Sequence, residues 1–177
     1  MLMIEISDVK NLMQKLLFEK ENAFDAFLLS EATIKMDASY VIDGHINKNF
    51  YSDEEAAELE RLAAAKNQHF DPRMIRWGQI KSHVLSIISG KKTPLSFNIV
   101  FYLSNENTDK FLSKLEISDQ SVRPDGLMLR LNYDNNILTA TTGTVFNNFT
   151  LDRTIDNAWD DMVRKFFTSI SINFEER

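Results

Sequence analysis

The chain has 177 residues, of which 44% are hydrophobic, 26% charged and 11% aromatic, and its net charge is −6. This length and composition are typical of a single globular domain over residues 1–177, and they exclude a disordered, collagen-like or low-complexity protein. The sequence contains no cysteine, which excludes disulfides, thiolate nucleophiles and the usual structural zinc sites and suits a cytoplasmic location.

Neither the N-terminal residues nor the apolar runs predict a targeting or membrane segment. Met1–Glu5 lacks the basic flank and the long apolar core of a signal peptide. The apolar run Ile99–Leu103 is far shorter than the roughly 20 residues of a membrane span. We therefore expect no membrane association, and no motif implies a cofactor or a bound metal.

The first elements predicted are a strand, a helix and a hairpin. A short strand over 1–6 precedes a helix over about 8–20, in which apolar residues recur at the spacing of one helix face. A Ser-Asp pair stands where a capping residue belongs. From Phe24 the apolar residues alternate, which predicts two strands joined by a turn at residues 37–39.

The middle of the chain predicts two helices and a buried strand. Alanine and glutamate favour a helix over 53–66, which we expect to be peripheral, in an insertion over 53–72. A second helix over 74–89 carries an apolar stripe, and Gly90 stands where a left-handed C-terminal cap belongs. Residues 95–103 predict a central strand because both of its faces are apolar.

The last third of the chain predicts a short helix, a meander and a final helix, and we expect the tail after Asn173 to be frayed. These elements are a helix over 107–115, a loop over 118–126, strands over 127–133, 137–142 and 145–151, and a helix from Asp156. Together the elements predict an α+β fold with an antiparallel sheet of five to seven strands and helices mainly on one face. The sheet is antiparallel because hairpin-length connections cannot join parallel neighbours.

Residues 3–11 line up with residues 74–82, which suggests a duplicated unit of a strand, a helix and antiparallel strands. Amphipathic helices also resemble one another by chance, so both interpretations stay open. A duplicated unit of this kind resembles one domain of the DNA sliding clamps, over about 1–50 and 74–150. That resemblance implies helices that face a DNA duplex.

Two short stretches carry a second resemblance, Gly90-Lys91-Lys92-Thr93-Pro94-Leu95 and Thr141-Thr142-Gly143-Thr144. Through them the chain is similar to a family of small uncharacterised proteins of clostridial bacteria. That family has no assigned activity, so the resemblance implies no mechanism.

The basic residues are concentrated in one segment of this acidic chain. Between Pro72 and Asn105 there is no Asp or Glu, while both predicted amphipathic helices have polar faces without acidic residues. Such faces favour contact with the phosphates of a nucleic acid, or cover by the 53–66 helix or by a second subunit. The candidate binding residues are Lys10, Lys15, Arg76, Lys81, Lys91 and Lys92.

Asp43 and His45 alternate on one strand and are the best candidates for acid–base chemistry. Two such groups do not make a site without a third, and His69, Asp71 and His83 lie elsewhere in the sequence. Alternating threonines over 139–144 are typical of a half-exposed strand. We interpret the Asp160-Asp161 pair as a solvated helix face.

We therefore predict a non-catalytic binding or interaction protein that associates with itself, with another protein or, in a clamp-like role, with nucleic acid. The alternative is a small acid–base enzyme. The enzyme requires a concave pocket that holds Asp43, His45 and a further polar group. The clamp-like role requires Lys10, Lys15 and Lys81 on one shared surface.

Overall fold

The computed structural model describes residues 1–19, 23–47, 49–65, 71–117, 122–147 and 151–177. Within these residues the chain forms seven strands, five α-helices and one π-helical segment. The elements are β1 (Met3–Ile6), α1 (Val9–Met13), the π-helical segment (Gln14–Phe18), β2 (Leu28–Lys35), β3 (Ser39–Asp43), α2 (Asp53–Ala65), α3 (Trp77–Ile88), β4 (Ser96–Tyr102), α4 (Asn105–Lys114), β5 (Gly126–Asp134), β6 (Ile137–Val145), α5 (Thr154–Ser169) and β7 (Phe174–Glu176).

The strands form one sheet in the order β3-β2-β4-β5-β6-β1-β7. Every neighbouring pair is antiparallel, which confirms the predicted α+β class. The β5–β6 hairpin closes through Asn135 and Asn136, whose φ angles are 50° and 64°. Asparagine tolerates this left-handed conformation, which two-residue hairpin turns require, so the two asparagines join the strands predicted over 127–133 and 137–142.

The core lies on one face of the sheet. Alternate residues of β4, Phe97, Ile99 and Phe101, are buried and join one apolar cluster with Trp77 of α3 and Trp159 of α5. The opposite face carries polar or half-exposed side chains, including Asn98, Arg130, Asn132 and Thr139.

The first helix changes from α to π geometry in the middle. Asp8 caps α1 by accepting a hydrogen bond from the backbone N–H of Asn11 at 3.0 Å. In the π-helical segment each hydrogen bond spans five residues, and this wider turn lets both Leu16 and Leu17 be buried. Phe18 then points outward and is 63% exposed.

The third helix begins three residues later than predicted, because the residues before it belong to the sheet. Met74 pairs with His45, and the backbone N–H of Ile75 donates to the carbonyl of Gly44 at 2.8 Å. A Cβ atom on Gly44 would lie 1.9 Å from the carbonyl oxygen of Leu29. Only glycine allows the backbone at position 44 to approach the backbone of Leu29 this closely.

Three other predictions are wrong. The chain leaves α3 in an extended conformation at Ser89, and no described glycine has a positive φ, so Gly90 is not a left-handed cap. No separate strand forms in the described part of 145–151: Val145 is the last residue of β6, which continues through Gly143 and pairs there with β5, and residues 146, 147 and 151 are not in a strand. Residues 148–150 lie outside the description. The tail is not frayed, because β7 pairs with β1.

Helix α2 is peripheral, as predicted. It begins with a capping box, in which the N–H of Ser52 donates to Glu55 at 2.8 Å and the N–H of Glu55 donates to the Ser52 hydroxyl at 3.2 Å. Ala56 and Leu59 are half-buried, and the other described side chains of the helix are exposed. Residue 66, the end of the predicted helix, lies outside the described residues.

Candidate binding groove

A groove of about 340 Å³ opens on the helix side of the sheet, where β4 begins and β5 ends. Phe97 of β4 and Tyr133 of β5 line it, with stacked rings whose centroids are 5.2 Å apart. The remaining lining comes from the first helix, from the end of α3 and from the loop after α3. Those residues are Val9, Met13, Leu17, Phe18, Leu85, Ile88, Ser89, Gly90, Lys91, Lys92, Thr93 and Pro94.

The groove is apolar because α1 and α3 both turn half-buried side chains toward it. Val9 and Met13 contribute from α1 and Leu85 and Ile88 from α3, and the buried Leu17 of the π-helical segment also lines the groove. Phe18 is more than half exposed, which leaves an aromatic ring open to solvent at this site. An apolar surface open to solvent favours the binding of another apolar surface.

Two of the predicted cations, Lys91 and Lys92, line this groove. Both are exposed, and neither side chain has a hydrogen bond or ion pair with a described residue. They follow the C-terminal end of α3, where the helix dipole favours positive charge. The groove therefore combines apolar lining with two uncompensated positive charges.

Two other predicted cations are used inside the molecule. The Lys81 ammonium lies 2.7 and 2.8 Å from the two carboxylate oxygens of Asp25 and donates to the carbonyl of Glu19 at 2.8 Å. The Arg76 guanidinium donates to the carbonyl of Ala26 at 3.1 Å. Both side chains hold the segment that connects the first helix to β2.

The last two predicted cations lie on the first helix and differ from each other. The Lys15 ammonium lies 3.5 Å from a carboxylate oxygen of Glu19. Lys10 is exposed and has no described side-chain partner. Lys10, Lys91 and Lys92 are therefore the members of the predicted set whose charges are uncompensated in the described part of the chain.

The polar face of α3 is open to solvent. Gln79, Ser82, Ser86 and Ser89 are all exposed, so α2 does not cover them. Cover by the 53–66 helix, one of the three interpretations of this face, is therefore wrong.

Asp43 and His45 form a pair, but they lie on the surface. The Nδ1 atom of His45 is 2.6 Å from Oδ1 of Asp43, and the backbone N–H of His45 donates to the same oxygen at 3.0 Å. These hydrogen bonds, the backbone one foremost, lower the pKa of Asp43. The side chains are 74% and 58% exposed, and neither residue lines the groove.

No third polar side chain comes within hydrogen-bond reach of this pair in the described residues. His83 is exposed on α3, and His69 lies outside the description. Among the described residues no group of three or more His, Asp or Glu side chains is arranged to hold a metal ion. The described geometry thus does not assemble the acid–base site that the alternative prediction requires.

Asp71 is the charged residue whose position the sequence analysis missed. It is 6% exposed, and its carboxylate accepts from Nε and Nη2 of Arg73 at 3.0 and 2.9 Å. Burial would raise the pKa of Asp71, but the Arg73 side chain and backbone N–H hold that pKa below its usual range. The Asn105 N–H at 3.4 Å and the Asp125 carbonyl, which accepts from Arg73 at 3.3 Å, extend this contact to α4 and to β5.

The threonine strand and the Asp160-Asp161 pair have structural roles. Thr142 is buried, accepts from the N–H of Leu2 at 2.7 Å and donates to the carboxylate of Asp160. Asp160 is 8% exposed, so the interpretation of this pair as a solvated face is wrong for that residue.

In the described part of the chain no helix is both long and apolar enough to cross a membrane.

Comparison with known families identifies one match, and it covers most of the chain. The model of DUF5721, a family of unknown function, matches residues 15–175. The chain belongs to this family. The DUF5721 match includes α3, the loop after it with Lys91 and Lys92, and both stacked rings of the groove. It confirms the predicted membership of an uncharacterised family.

Comparison with curated proteins and with solved structures finds no match. The resemblance to a sliding-clamp domain therefore has no support. The strand-helix-strand-strand order is present only in the first half, because only isolated bridges precede α3 and helix α4 separates β4 from β5.

Proposed function

We propose that this DUF5721 protein is a non-catalytic, cytoplasmic interaction protein whose groove receives an apolar, negatively charged segment of a protein partner. The observation that carries the proposal is the combination at one site of an apolar lining with Lys91 and Lys92, whose charges have no described partner. The apolar lining favours apolar side chains of the partner, and the two lysines favour its negative charge.

The apolar half supplies affinity. A groove of about 340 Å³ has room for one or two large side chains of a partner. Full burial of each is worth about 1.5–3 kcal/mol before the costs of association. This magnitude fits a transient contact that a few anchor residues dominate.

The two lysines supply selectivity. Exposed charges contribute little to affinity, but they attract an acidic partner and repel a basic one, and the effect weakens as salt rises. A nucleic acid is a weaker candidate, because Lys81 and Arg76 already bind acceptors of their own chain. Too few cations remain for the row of phosphate contacts that such binding requires.

The first experiment tests the chemistry of the groove with an apolar anion, 1-anilinonaphthalene-8-sulfonate, titrated into the folded protein and followed by fluorescence. We expect K91E/K92E to weaken binding roughly tenfold, since reversing two exposed charges removes an attraction and adds a repulsion. The variant K114E/K165E makes the same change of net charge at exposed positions outside the groove and should leave binding unchanged.

Equal binding of the dye by K91E/K92E and by the unmodified protein contradicts the proposal. The proposal is also contradicted if the protein binds a DNA duplex in a salt-sensitive way and K91E/K92E abolishes that binding, because the two lysines then bind DNA phosphates. Circular dichroism of each variant confirms that the fold is retained.

A further inference from the structure

We infer that the segment which occupies the groove is α2, together with the residues just before it, from a second copy of this chain. Copies then associate head to tail. This inference rests on the proposed function of the groove, and it adds the identity of the partner.

The donor surface carries two large apolar side chains that the chain leaves exposed, one just before α2 and one on the helix. Phe50 is 73% exposed and Leu62 is 52% exposed. The ring of Phe50 packs edge-on against that of Tyr51, with centroids 4.9 Å apart. Large apolar side chains that remain exposed on a peripheral helix are typical of a docking surface.

The charge of α2 is opposite to that of the groove. The helix carries five carboxylates and one arginine within Asp53–Ala65. Glu55 belongs to the capping box and Glu58 pairs with Arg61 at 2.7 Å, while Glu54 and Glu60 are exposed without a described partner. An acidic helix with apolar anchors is the occupant that an apolar groove with two lysines favours.

The donor is also ordered before it binds. The capping box between Ser52 and Glu55 fixes the start of α2 in the isolated chain. A preformed helix avoids the entropy cost of ordering on association, so a small groove is sufficient to hold it.

The donor and the groove are different surfaces of one molecule. No residue of α2 lines the groove, so each copy keeps one free donor and one free groove. A contact of this kind is heterologous, and it builds a closed ring or an open chain of copies.

The test uses two full-length variants that each remove one side of the contact. F50S/L62S removes the anchors of the donor and K91E/K92E reverses the charge of the groove. All four positions are exposed, so neither variant disturbs the core. Sedimentation velocity over a wide range of concentrations measures the association.

We expect the mass of the unmodified protein to rise with concentration and each variant alone to associate roughly thirtyfold more weakly or not at all. An equal mixture of the two variants should form a one-to-one dimer and nothing larger, because only one intact donor meets one intact groove. Two matched controls, L151S, at a side chain 83% exposed, and K114E/K165E, should associate like the unmodified protein.

A monomeric unmodified protein at every concentration overturns the inference, and so does a mixture of variants that fails to form the dimer. In both cases the dye titration still decides the proposed function, because it needs no second copy. If K91E/K92E loses dye binding but still associates like the unmodified protein, the association lies elsewhere; this result overturns the inference and leaves the proposed function supported.

Discussion

Asp71 joins three parts of the chain that are far apart in sequence, and its removal should be costly. The carboxylate binds Arg73 through two side-chain bonds and one backbone bond, and it also receives the N–H of Asn105 at the start of α4. Arg73 in turn donates to the carbonyl of Asp125, next to β5. The substitution Asp71→Ala removes the acceptor of three Arg73 donors and of the Asn105 N–H, while the bond from Arg73 to the Asp125 carbonyl can remain.

The magnitude follows from how much of the pair is buried. The carboxylate side chain is 4% exposed, whereas that of Arg73 is 32% exposed and can regain water when its partner is lost. Breaking a fully buried pair costs about 3–5 kcal/mol, so we expect about 2.5 kcal/mol here. The free energy of unfolding of a domain of this size falls by about 2 kcal/mol per molar urea (the m-value), so the urea midpoint should fall by about 1 M.

Urea unfolding followed by tryptophan fluorescence measures this loss, and its pH dependence tests the cause. Because the pKa of Asp71 is lowered in the folded protein, its stabilisation is fully present above the unfolded pKa of about 3.9. It is lost as the pH falls through the lower folded value. The difference between the unmodified protein and the variant should therefore be constant near neutral pH and shrink below about pH 4.

The matched control is Asp134→Ala, at an exposed aspartate of β5, which should change the midpoint little. A loss from Asp71→Ala no larger than that of the control contradicts the reasoning, since the carboxylate would then contribute no net stability. A loss that stays constant in acid contradicts the electrostatic cause.

Three further substitutions test the fold and the site. Gly44→Ala should lower the free energy of unfolding by about 2 kcal/mol in urea, because its Cβ would lie 1.9 Å from the Leu29 carbonyl oxygen; an unchanged midpoint contradicts this. Trp77→Phe should lower it by about 1.5 kcal/mol, because it removes the buried 2.8 Å bond from the indole N–H to the carbonyl of Leu16, and a loss too small to measure argues against that bond. His45→Gln should change neither dye binding nor the urea midpoint, and a change in dye binding would assign the surface pair a role in the site.

Most of the secondary structure could be predicted because its signals are local. The apolar run over 95–103 predicted β4 and its central place in the sheet, although only Phe97, Ile99 and Phe101 of β4 are buried, on one face. Strand β7 escaped prediction because Phe174–Glu176 is short and charged, and it is a strand only where β1 pairs with it. The π-helical geometry also depends on burial against the core, which a sequence pattern does not specify.

The candidate site was predictable in its charge but not in its shape. The run without acidic residues placed Lys91 and Lys92 among six candidate cations, but the groove beside them needs side chains from the first helix, from α3 and from two strands. The partner of Lys81 is Asp25, far away in the sequence, so no local pattern distinguishes this internally paired lysine from Lys91 and Lys92, which have no partner among the described residues. Asp71 was missed for the same reason, because its burial depends on α4 and β5.

The position of β1 has a consequence for how the chain reaches its native state. Met3 pairs with Thr141 and Ile4 pairs with Glu176, so one side of the sheet combines the earliest strand with the two latest. Contacts between such distant segments form slowly because a long loop must close first. Until they form, β6 presents an unpaired edge that another chain can extend. Aggregation during refolding should therefore depend on how soon the first six residues rejoin the sheet.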